Sequence, residues 1–178
     1  MADLPAGAEE LFSAAAVDNA IDAMARAVQA EIDTQDCVLL AVMLGGMIPA
    51  ARIASRLSGD FLLDYCHVTR YQGQQHGGEP QWLHRPRADL AGRTVLVVDD
   101  IYDEGLTLQF VEQACLEKGA ARVVTVALTS KRHPRATIGR RPDILGLEVP
   151  DRYIFGCGMD LEHGWRHLPA IYALAEES

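Results

Sequence analysis

One segment of the chain places four carboxylates, a glycine and a threonine after an apolar run. Its sequence is Val95-Leu96-Val97-Val98-Asp99-Asp100-Ile101-Tyr102-Asp103-Glu104-Gly105-Leu106-Thr107. If the run is a buried strand, the residues that follow lie where open α/β sheets bind ligands, beyond the carboxyl end of a strand. A helix that begins near Leu106 offers unpaired N–H groups to a phosphate. Gly105 permits close backbone approach, and Thr107 adds a hydroxyl, so we predict a phosphate site here.

The acids of this segment suit different tasks. Asp99 and Asp100 are acceptors for sugar hydroxyls or metal-bound water, whereas Asp103 is placed to exchange a proton with a group above the phosphate. An ordinary strand-to-helix turn with an acidic cap is one alternative. A phosphoacceptor receiver domain is another, but its acid pair lies near the start of a unit of over about a hundred residues. Here only residues 101–178 follow Asp100, which disfavours the receiver.

A second glycine-containing turn follows another apolar run. The turn is Met43-Leu44-Gly45-Gly46. It lies at the end of a continuous apolar segment, residues 38–43, and a helical pattern follows it. Backbone N–H groups of such a turn could hold a second anion, such as pyrophosphate. The alternative is a simple Gly-Gly turn.

The elements that must position these residues alternate between strand and helix. Helical patterns cover residues 8–32, 48–57 and 107–118, and strands are predicted at 38–43, 61–68, 94–98, 122–128, 144–148 and 152–156. Residues 157–174 are predicted to be irregular with a possible last turn. Because several strands are continuously apolar, we predict an α/β fold with a mostly parallel twisted sheet flanked by helices.

Residues 70–88 differ from the rest in being polar and rich in glycine. This predicts a long loop or an irregular hairpin, and such a loop often serves as a lid. Trp82, within it, either latches the loop or packs on the body of the domain. His133 and His163 have no partner in the sequence pattern that marks a metal or a nucleophile, and we interpret both as surface residues.

Composition restricts the class of protein. The chain has 178 residues, 49% of them hydrophobic, and a formal charge of -9, which favours a globular domain and disfavours non-specific nucleic-acid binding. No apolar run is long enough to span a membrane, and the first residues lack a secretory signal, so a cytoplasmic location is expected. The four cysteines are widely spaced, and we expect buried thiols.

Residues 95–107 resemble the 5-phosphoribosyl 1-diphosphate (PRPP) motif of type I phosphoribosyltransferases, and the C-terminal third resembles their hypoxanthine-guanine branch. The second resemblance rests on Ser130-Lys131-Arg132-His133-Pro134-Arg135, on residues 141–156 and on Met159-Asp160. It implies one domain over 1–178, with a mobile loop at about 70–88. It also implies a small hood of N- and C-terminal segments over the site, with the purine-binding region at about 131–178. The chain departs from the family at Glu104, usually Thr or Ser, and at Leu44, often Lys or Arg.

The resemblance also implies a role for each matching residue. PRPP would be bound by Asp99, Asp100, Asp103, Glu104, Gly105, Leu106, Thr107, Leu44, Gly45 and Arg166. The purine would contact Lys131 through its O6, Tyr153 by ring stacking, and the backbone carbonyls of Ile154 and Asp160. Asp160, Asp99 and Asp100 would hold Mg²⁺, Tyr71 would belong to the lid, and Asp103 would be catalytic, handling the purine N7 proton.

The implied activity is purine salvage, in which hypoxanthine or guanine and PRPP give IMP or GMP and pyrophosphate. A xanthine-preferring enzyme of the same fold is one alternative. A non-catalytic regulator that senses PRPP or nucleotides is another. The partners implied are small molecules and a second copy of the chain, as a homodimer or homotetramer, with no nucleic acid and no membrane.

Overall fold

Strands and helices alternate along the chain and form two sheets. The computed structural model describes residues 4–32, 36–70, 80–133 and 140–175. Its elements are β1 (Glu9–Phe12), α1 (Ala14–Glu31), β2 (Cys37–Met43), α2 (Met47–Ala54), β3 (Leu62–Arg70), β4 (Pro80–His84), β5 (Thr94–Tyr102), α3 (Leu106–Glu117), β6 (Arg122–Arg132), β7 (Ile144–Pro150), β8 (Ile154–Phe155) and β9 (Ile171–Ala173).

The larger sheet has the strand order β4-β3-β2-β5-β6-β7, and all its neighbours are parallel except the β3–β4 pair. Alternate side chains of the central strands enter two different cores, as the pleat requires. Leu39 and Leu96 pack with α1 and α2, whereas Leu40 and Val97 pack with α3. The predicted α/β fold with a mostly parallel sheet is therefore confirmed.

Chain direction across this sheet reverses between β2 and β5. The chain leaves β2 through α2 towards β3, but it leaves β5 through α3 towards β6. The loops after β2 and β5 therefore diverge and leave a crevice at the carboxyl ends of these two strands, which is where ligands bind in such sheets.

The smaller sheet, which we call the hood sheet, has the order β1-β9-β8 and joins segments from distant parts of the chain. β9 pairs antiparallel with both neighbours. The Arg152 guanidinium joins the ends of two strands of the hood sheet. Its Nη2 donates to the carbonyl of Leu174, next to β9, at 2.6 Å, and its Nη1 pairs with the carboxylate of Glu9 on β1. A hood from both ends of the sequence is thus present.

Several predicted boundaries were wrong. Residues 8–13 are not helical, because β1 occupies Glu9–Phe12 and Ser13 caps α1 by accepting from the Ala16 N–H. Residues 157–174 include strand β9, and the strand predicted at 152–156 is only Ile154–Phe155. These short strands carry too few residues to show a period of two. β5 continues to Tyr102, beyond the predicted end at Val98, so Asp99 and Asp100 lie within the strand.

Part of the predicted long loop is a hairpin strand. β4 pairs with β3, and Trp82 packs on the body of the domain, with its ring centroid 5.0 Å from that of Phe110 on α3. Residues 71–79, which include Tyr71, lie outside the described residues.

The cysteines are free and buried, as expected. Burial raises the pKa of Cys37 and of Cys115 to about 11, so both thiols remain protonated at neutral pH. In the described part of the chain, no helix is both long and apolar enough to cross a bilayer.

A carboxylate at the start of β7 fastens this strand to β6. Asp143 Oδ2 accepts from the Thr125 N–H at 2.8 Å and from its hydroxyl at 3.0 Å, and Arg140 also pairs with this carboxylate. Burial raises the pKa of Asp143, but the hydrogen bonds of Arg140 and Thr125 outweigh burial, so the pKa lies below its usual value.

We expect Asp143→Ala to lower the free energy of unfolding by about 1–3 kcal/mol at pH 7, because the buried Thr125 donors lose their acceptor. A lowered folded-state pKa stabilises the protein fully above the unfolded value and less as the pH falls through the folded value. The difference between wild type and variant should therefore be constant from pH 7 to about 5 and shrink below about 4. Urea unfolding at each pH measures it.

Glu148→Ala is the matched control, because Glu148 pairs with Arg132 and Arg141 at an exposed position of the same strand. Its loss of stability at pH 7 should be smaller than that of Asp143→Ala. Equal losses for both variants would contradict the role given to Asp143.

Candidate active site

The crevice between the ends of β2 and β5 is a cavity of about 480 Å³. Most residues predicted to bind PRPP or metal line it, namely Leu44, Gly45, Asp99, Asp100, Asp103, Gly105, Thr107, Asp160 and Arg166. The sequence reasoning missed its apolar walls, which include Val42, Val68, Ile101, Tyr102 and Leu108. Ile101 and Tyr102 directly follow the predicted acids Asp99 and Asp100, and that position was the signal in the sequence that could have identified them.

One wall of the cavity is the start of α3. Gly105 precedes the helix with φ of 88°, a left-handed conformation that favours glycine, and its carbonyl accepts from the Gln109 N–H at 3.0 Å. No described side chain caps this end, so the first N–H groups are directed at the cavity beside Thr107. The predicted anion site therefore has its backbone donors in place.

Two predicted PRPP residues do not line the cavity. Leu106 lies in a separate surface groove with Phe110 and Gln109. The Glu104 side chain is half-buried beside the site, but it is not part of the cavity wall. Neither residue is therefore part of the described lining of this crevice.

The opposite wall is built from glycines that come unusually close to their neighbours. A Cβ on Gly45 would lie 1.8 Å from Asp100 Oδ2, and one on Gly158 would lie 2.2 Å from the Gly45 carbonyl oxygen. A Cβ on Gly46 would lie 2.4 Å from the Val98 carbonyl oxygen. The Met43–Leu44 peptide is cis. The close approaches at Gly45 and Gly46 therefore bring their backbone next to Asp100 and Val98.

Asp99 and Asp100 are both buried at the floor of the cavity. The Asp99 carboxylate accepts from the Asp100 N–H at 3.0 Å. Burial raises the pKa of Asp100, and contact with Asp99 and the charge of Arg166 offset only part of that effect. A cation that enters this site would therefore favour the ionised carboxylate.

Arg166 lies between two of the carboxylates. Its Nη2 donates to Asp160 Oδ1 at 2.7 Å and its Nη1 donates to the Gly158 carbonyl at 2.6 Å, while Nη1 is 4.0 Å from Asp100 Oδ2. The other oxygen of Asp160 accepts from the His163 N–H at 3.0 Å. These contacts fix the guanidinium at the edge of the cavity, where it can pair with an anion.

A smaller cavity of about 180 Å³ adjoins the first and shares Asp100, Ile101 and Asp160 with it. Its remaining lining is the predicted purine set Lys131, Tyr153 and Ile154, together with Met159. The Tyr153 ring is 53% exposed and so presents a free face. Burial of the hydroxyl and the charge of Asp160 raise the pKa of Tyr153, so the phenol is neutral at pH 7.

Lys131 and Asp103 meet where the two cavities join. Their strands are adjacent and in register, since Tyr102 pairs with Ser130. Lys131 Nζ is 3.8 Å from Asp103 Oδ2 and 3.8 Å from Asp151 Oδ1. The Asp103 carboxylate, which is the predicted proton acceptor, and the Lys131 amine are thus within reach of one small ligand.

The surface assignment of His133 was wrong. Its side chain is only 2% exposed, and its Nε2 is 2.9 Å from Asp103 Oδ1. His133 follows Lys131 by two positions, so alternation along β6 directs both side chains to the same side. That spacing was a signal in the sequence that could have identified it.

The donor set fits a magnesium ion that a substrate helps to bind. The described residues contain no group of three acidic, histidine or cysteine side chains placed to hold a metal alone. They do offer the strand-end pair Asp99 and Asp100, and across Arg166 the carboxylate of Asp160. Mg²⁺ is commonly held by one or two carboxylates together with substrate phosphates.

Comparison with known proteins agrees with this geometry. Residues 7–150 match the model of the phosphoribosyl transferase domain. The chain is 30% identical over 164 residues to the hypoxanthine-guanine phosphoribosyltransferase of Bos taurus, covering 86% of this chain and 74% of that protein. It is 28% identical over 148 residues to that of Lactococcus lactis, covering 83% and 80%. A hypoxanthine-guanine phosphoribosyltransferase structure from Bacillus anthracis shares the fold, with a TM-score of 0.84, 23% identity, and 94% and 98% coverage.

The close approach at Gly45 gives a prediction about stability. Gly45→Ala should lower the free energy of unfolding by about 1–3 kcal/mol, because the added methyl group must displace the Asp100 carboxylate. Gly164→Ala is the matched control, since a Cβ there would meet its nearest described neighbour at an ordinary 3.5 Å. Urea unfolding compares the two, and equal stabilities would contradict the tight packing at Gly45.

Proposed function

The chain belongs to the phosphoribosyl transferase family, and on that premise we propose that it salvages hypoxanthine and guanine by joining them to the ribose 5-phosphate of PRPP. The observation that carries the proposal is the position of Asp103. It stands between a helix start suited to a phosphate and a cavity that holds an amine and an exposed aromatic ring.

The PRPP end of the proposal rests on backbone donors. The 5-phosphate would accept from the first N–H groups of α3 and from the Thr107 hydroxyl. Glu104 replaces a hydroxyl residue of the family pattern, so this chain depends more on its backbone there. Asp99 and Asp100 would accept from ribose hydroxyls or hold metal-bound water.

Pyrophosphate would lie on the opposite wall. The exposed backbone of Leu44 and Gly45 and the guanidinium of Arg166 are the groups available to it. Asp160, Asp99 and Asp100 are the carboxylates that would hold Mg²⁺ together with substrate oxygens. A magnesium ion held there would supply positive charge to offset the charge of the leaving pyrophosphate.

The purine would occupy the smaller cavity. Lys131 is placed to donate to the O6 of the base, and Tyr153 offers an exposed ring face for stacking. Ile154 and the Asp160 backbone would accept from the donors on the opposite edge. A 6-oxopurine matches this arrangement because its O6 accepts from an amine, whereas the amino group of adenine donates.

The proposed reaction is a substitution at the anomeric carbon of the ribose. The C1′–O bond to pyrophosphate breaks, and its electron pair leaves with the pyrophosphate oxygen. The purine N9 forms the new bond to C1′ through an oxocarbenium-like transition state, as in glycoside chemistry. The proton on N7 passes to the Asp103 carboxylate, so the base stays neutral overall.

The wider setting belongs to the same proposal. We propose that residues 1–178 act as one phosphoribosyltransferase domain and that the chain forms a homodimer or homotetramer, as the family resemblance implies. Four free cysteines suit a reducing compartment and support a cytoplasmic location. A purely sensing protein would need no proton acceptor at the purine, so Asp103 favours the enzyme.

An assay with PRPP, Mg²⁺ and each of hypoxanthine, guanine, xanthine and adenine tests the function. We expect pyrophosphate release with hypoxanthine or guanine and loss of activity when EDTA removes the metal. Asp103→Asn should lower kcat by about 10²–10⁴-fold, because the amide cannot accept the proton. Its dissociation constant for PRPP, measured by calorimetry with Mg²⁺, should change by less than about threefold.

The outcomes separate the alternatives. Preference for xanthine would favour the other substrate class of the same fold. PRPP binding without pyrophosphate release from any base would favour a sensor. An Asp103→Asn variant as fast as wild type would remove the proton-transfer role.

Lys131→Met should lower kcat/KM for hypoxanthine by about 10- to 100-fold, because a charge-assisted hydrogen bond to O6 is lost. Arg132→Met is the control, since Arg132 is the next residue along β6 and its side chain is exposed beside Glu148. Steady-state kinetics with varied hypoxanthine measure both. Equal kcat/KM in the two variants would defeat the O6 assignment.

A further inference from the structure

We infer that His133 is a positioning residue that fixes the Asp103 carboxylate for proton transfer; this inference rests on the proposed function. His133 follows β6 and Asp103 follows β5, and these adjacent strands are paired up to Tyr102 and Ser130, so both residues lie just beyond the paired ends. The imidazole Nε2 is 2.9 Å from Asp103 Oδ1 and 3.3 Å from the carbonyl oxygen of the same residue.

The geometry identifies the donor. A carboxylate oxygen and a backbone carbonyl both only accept hydrogen bonds, so Nε2 must carry the hydrogen that they share. The other ring nitrogen, Nδ1, is buried and has no hydrogen-bond partner among the residues that the structure describes. Among the described residues, the polar contacts of this ring are therefore those that Nε2 makes with Asp103.

This contact constrains Asp103 more than a single hydrogen bond would. Because one N–H is shared between the side chain and the main chain of Asp103, it restricts how that side chain can turn relative to its own backbone. Oδ1 is directed at His133, and Oδ2 is directed towards Lys131 at 3.8 Å. The carboxylate thus presents Oδ2 where the two cavities meet.

Orientation matters here because Asp103 lies beyond the end of β5, in the bend that leads to α3, rather than in a helix or strand. A misplacement of about 1 Å can cost on the order of 10²-fold in rate. The His133 side chain, which is 2% exposed, contacts Asp103 and restrains its carboxylate. His133 does not touch the purine in this role, and it acts through Asp103.

Two substitutions of similar size separate donation from packing. Glutamine carries an N–H near the position of Nε2, whereas leucine fills similar volume without a donor. We expect His133→Leu to lower kcat with hypoxanthine by about 10- to 100-fold, with a change in the KM for PRPP of less than about threefold. His133→Gln should recover most of the lost kcat.

A third variant keeps the test decisive if His133→Leu does not fold. The shorter side chain of His133→Asn places its N–H near the position of Nδ1, where it does not reach Asp103. The Gln variant should therefore be faster than the Asn variant. Arg132→Met, at the neighbouring exposed position, is the control for disturbance of the strand end.

The possible results are distinct. Thermal unfolding of each variant shows whether a loss of kcat follows a loss of stability, as a purely structural role would require. Gln and Asn variants of equal kcat, or a Leu variant within about twofold of wild type, would overturn the role of His133 while leaving the proposed function intact. A wild-type protein inactive with every base would overturn both.

Discussion

The contact of Gly45 with Asp100 and Gly158 is the constraint on which the site depends. Backbone from the β2 turn, a carboxylate from β5 and a loop of the hood region meet at distances that leave no room for a Cβ. This contact brings together segments far apart in the sequence. It also places the hood-side residues Asp160 and Arg166 over the carboxyl ends of the strands. The two cavities share Asp100 for the same reason.

The charges of the site indicate that an anionic ligand and cations would have to bind there together. Asp99, Asp100, Asp103 and Asp160 surround the larger cavity, and Arg166 is the one cation among the described residues that line it. A highly anionic sugar phosphate would be repelled by such a lining unless cations accompany it. Backbone N–H groups at α3 and at the β2 turn add positive ends of dipoles without adding charged side chains. The site therefore combines acidic side chains with donors from the main chain.

The prediction from sequence was correct for the long apolar strands and failed for the shortest strands. Continuous apolar runs predicted β2, β5 and β6, and the acids after Val98 predicted the cavity, because strand ends in parallel sheets converge. Strands β1 and β9 were not predicted, because strands of four and three residues take their conformation from a partner far along the chain. His133 was missed for a related reason, because its partner Asp103 is distant in the sequence and is brought near only by the pairing of β5 with β6. Glu104 and Leu106 were assigned to the PRPP set from their positions in the motif, yet they are not among the residues that line the cavity.

The order of strands in the hood sheet has a consequence for biosynthesis. β9 lies between β1 and β8, so β1 has no hydrogen-bonding partner in that sheet until residues 171–173 have left the ribosome. The parallel strands of the larger sheet, by contrast, are complete once β7 has emerged. A nascent chain can thus assemble its central layer while β8 is still without its partner β9, and Arg152 cannot join Glu9 and Leu174 until residue 174 has been made. The hood sheet therefore forms by a pairing between the first and the last of the described strands, after the larger sheet can already be in place.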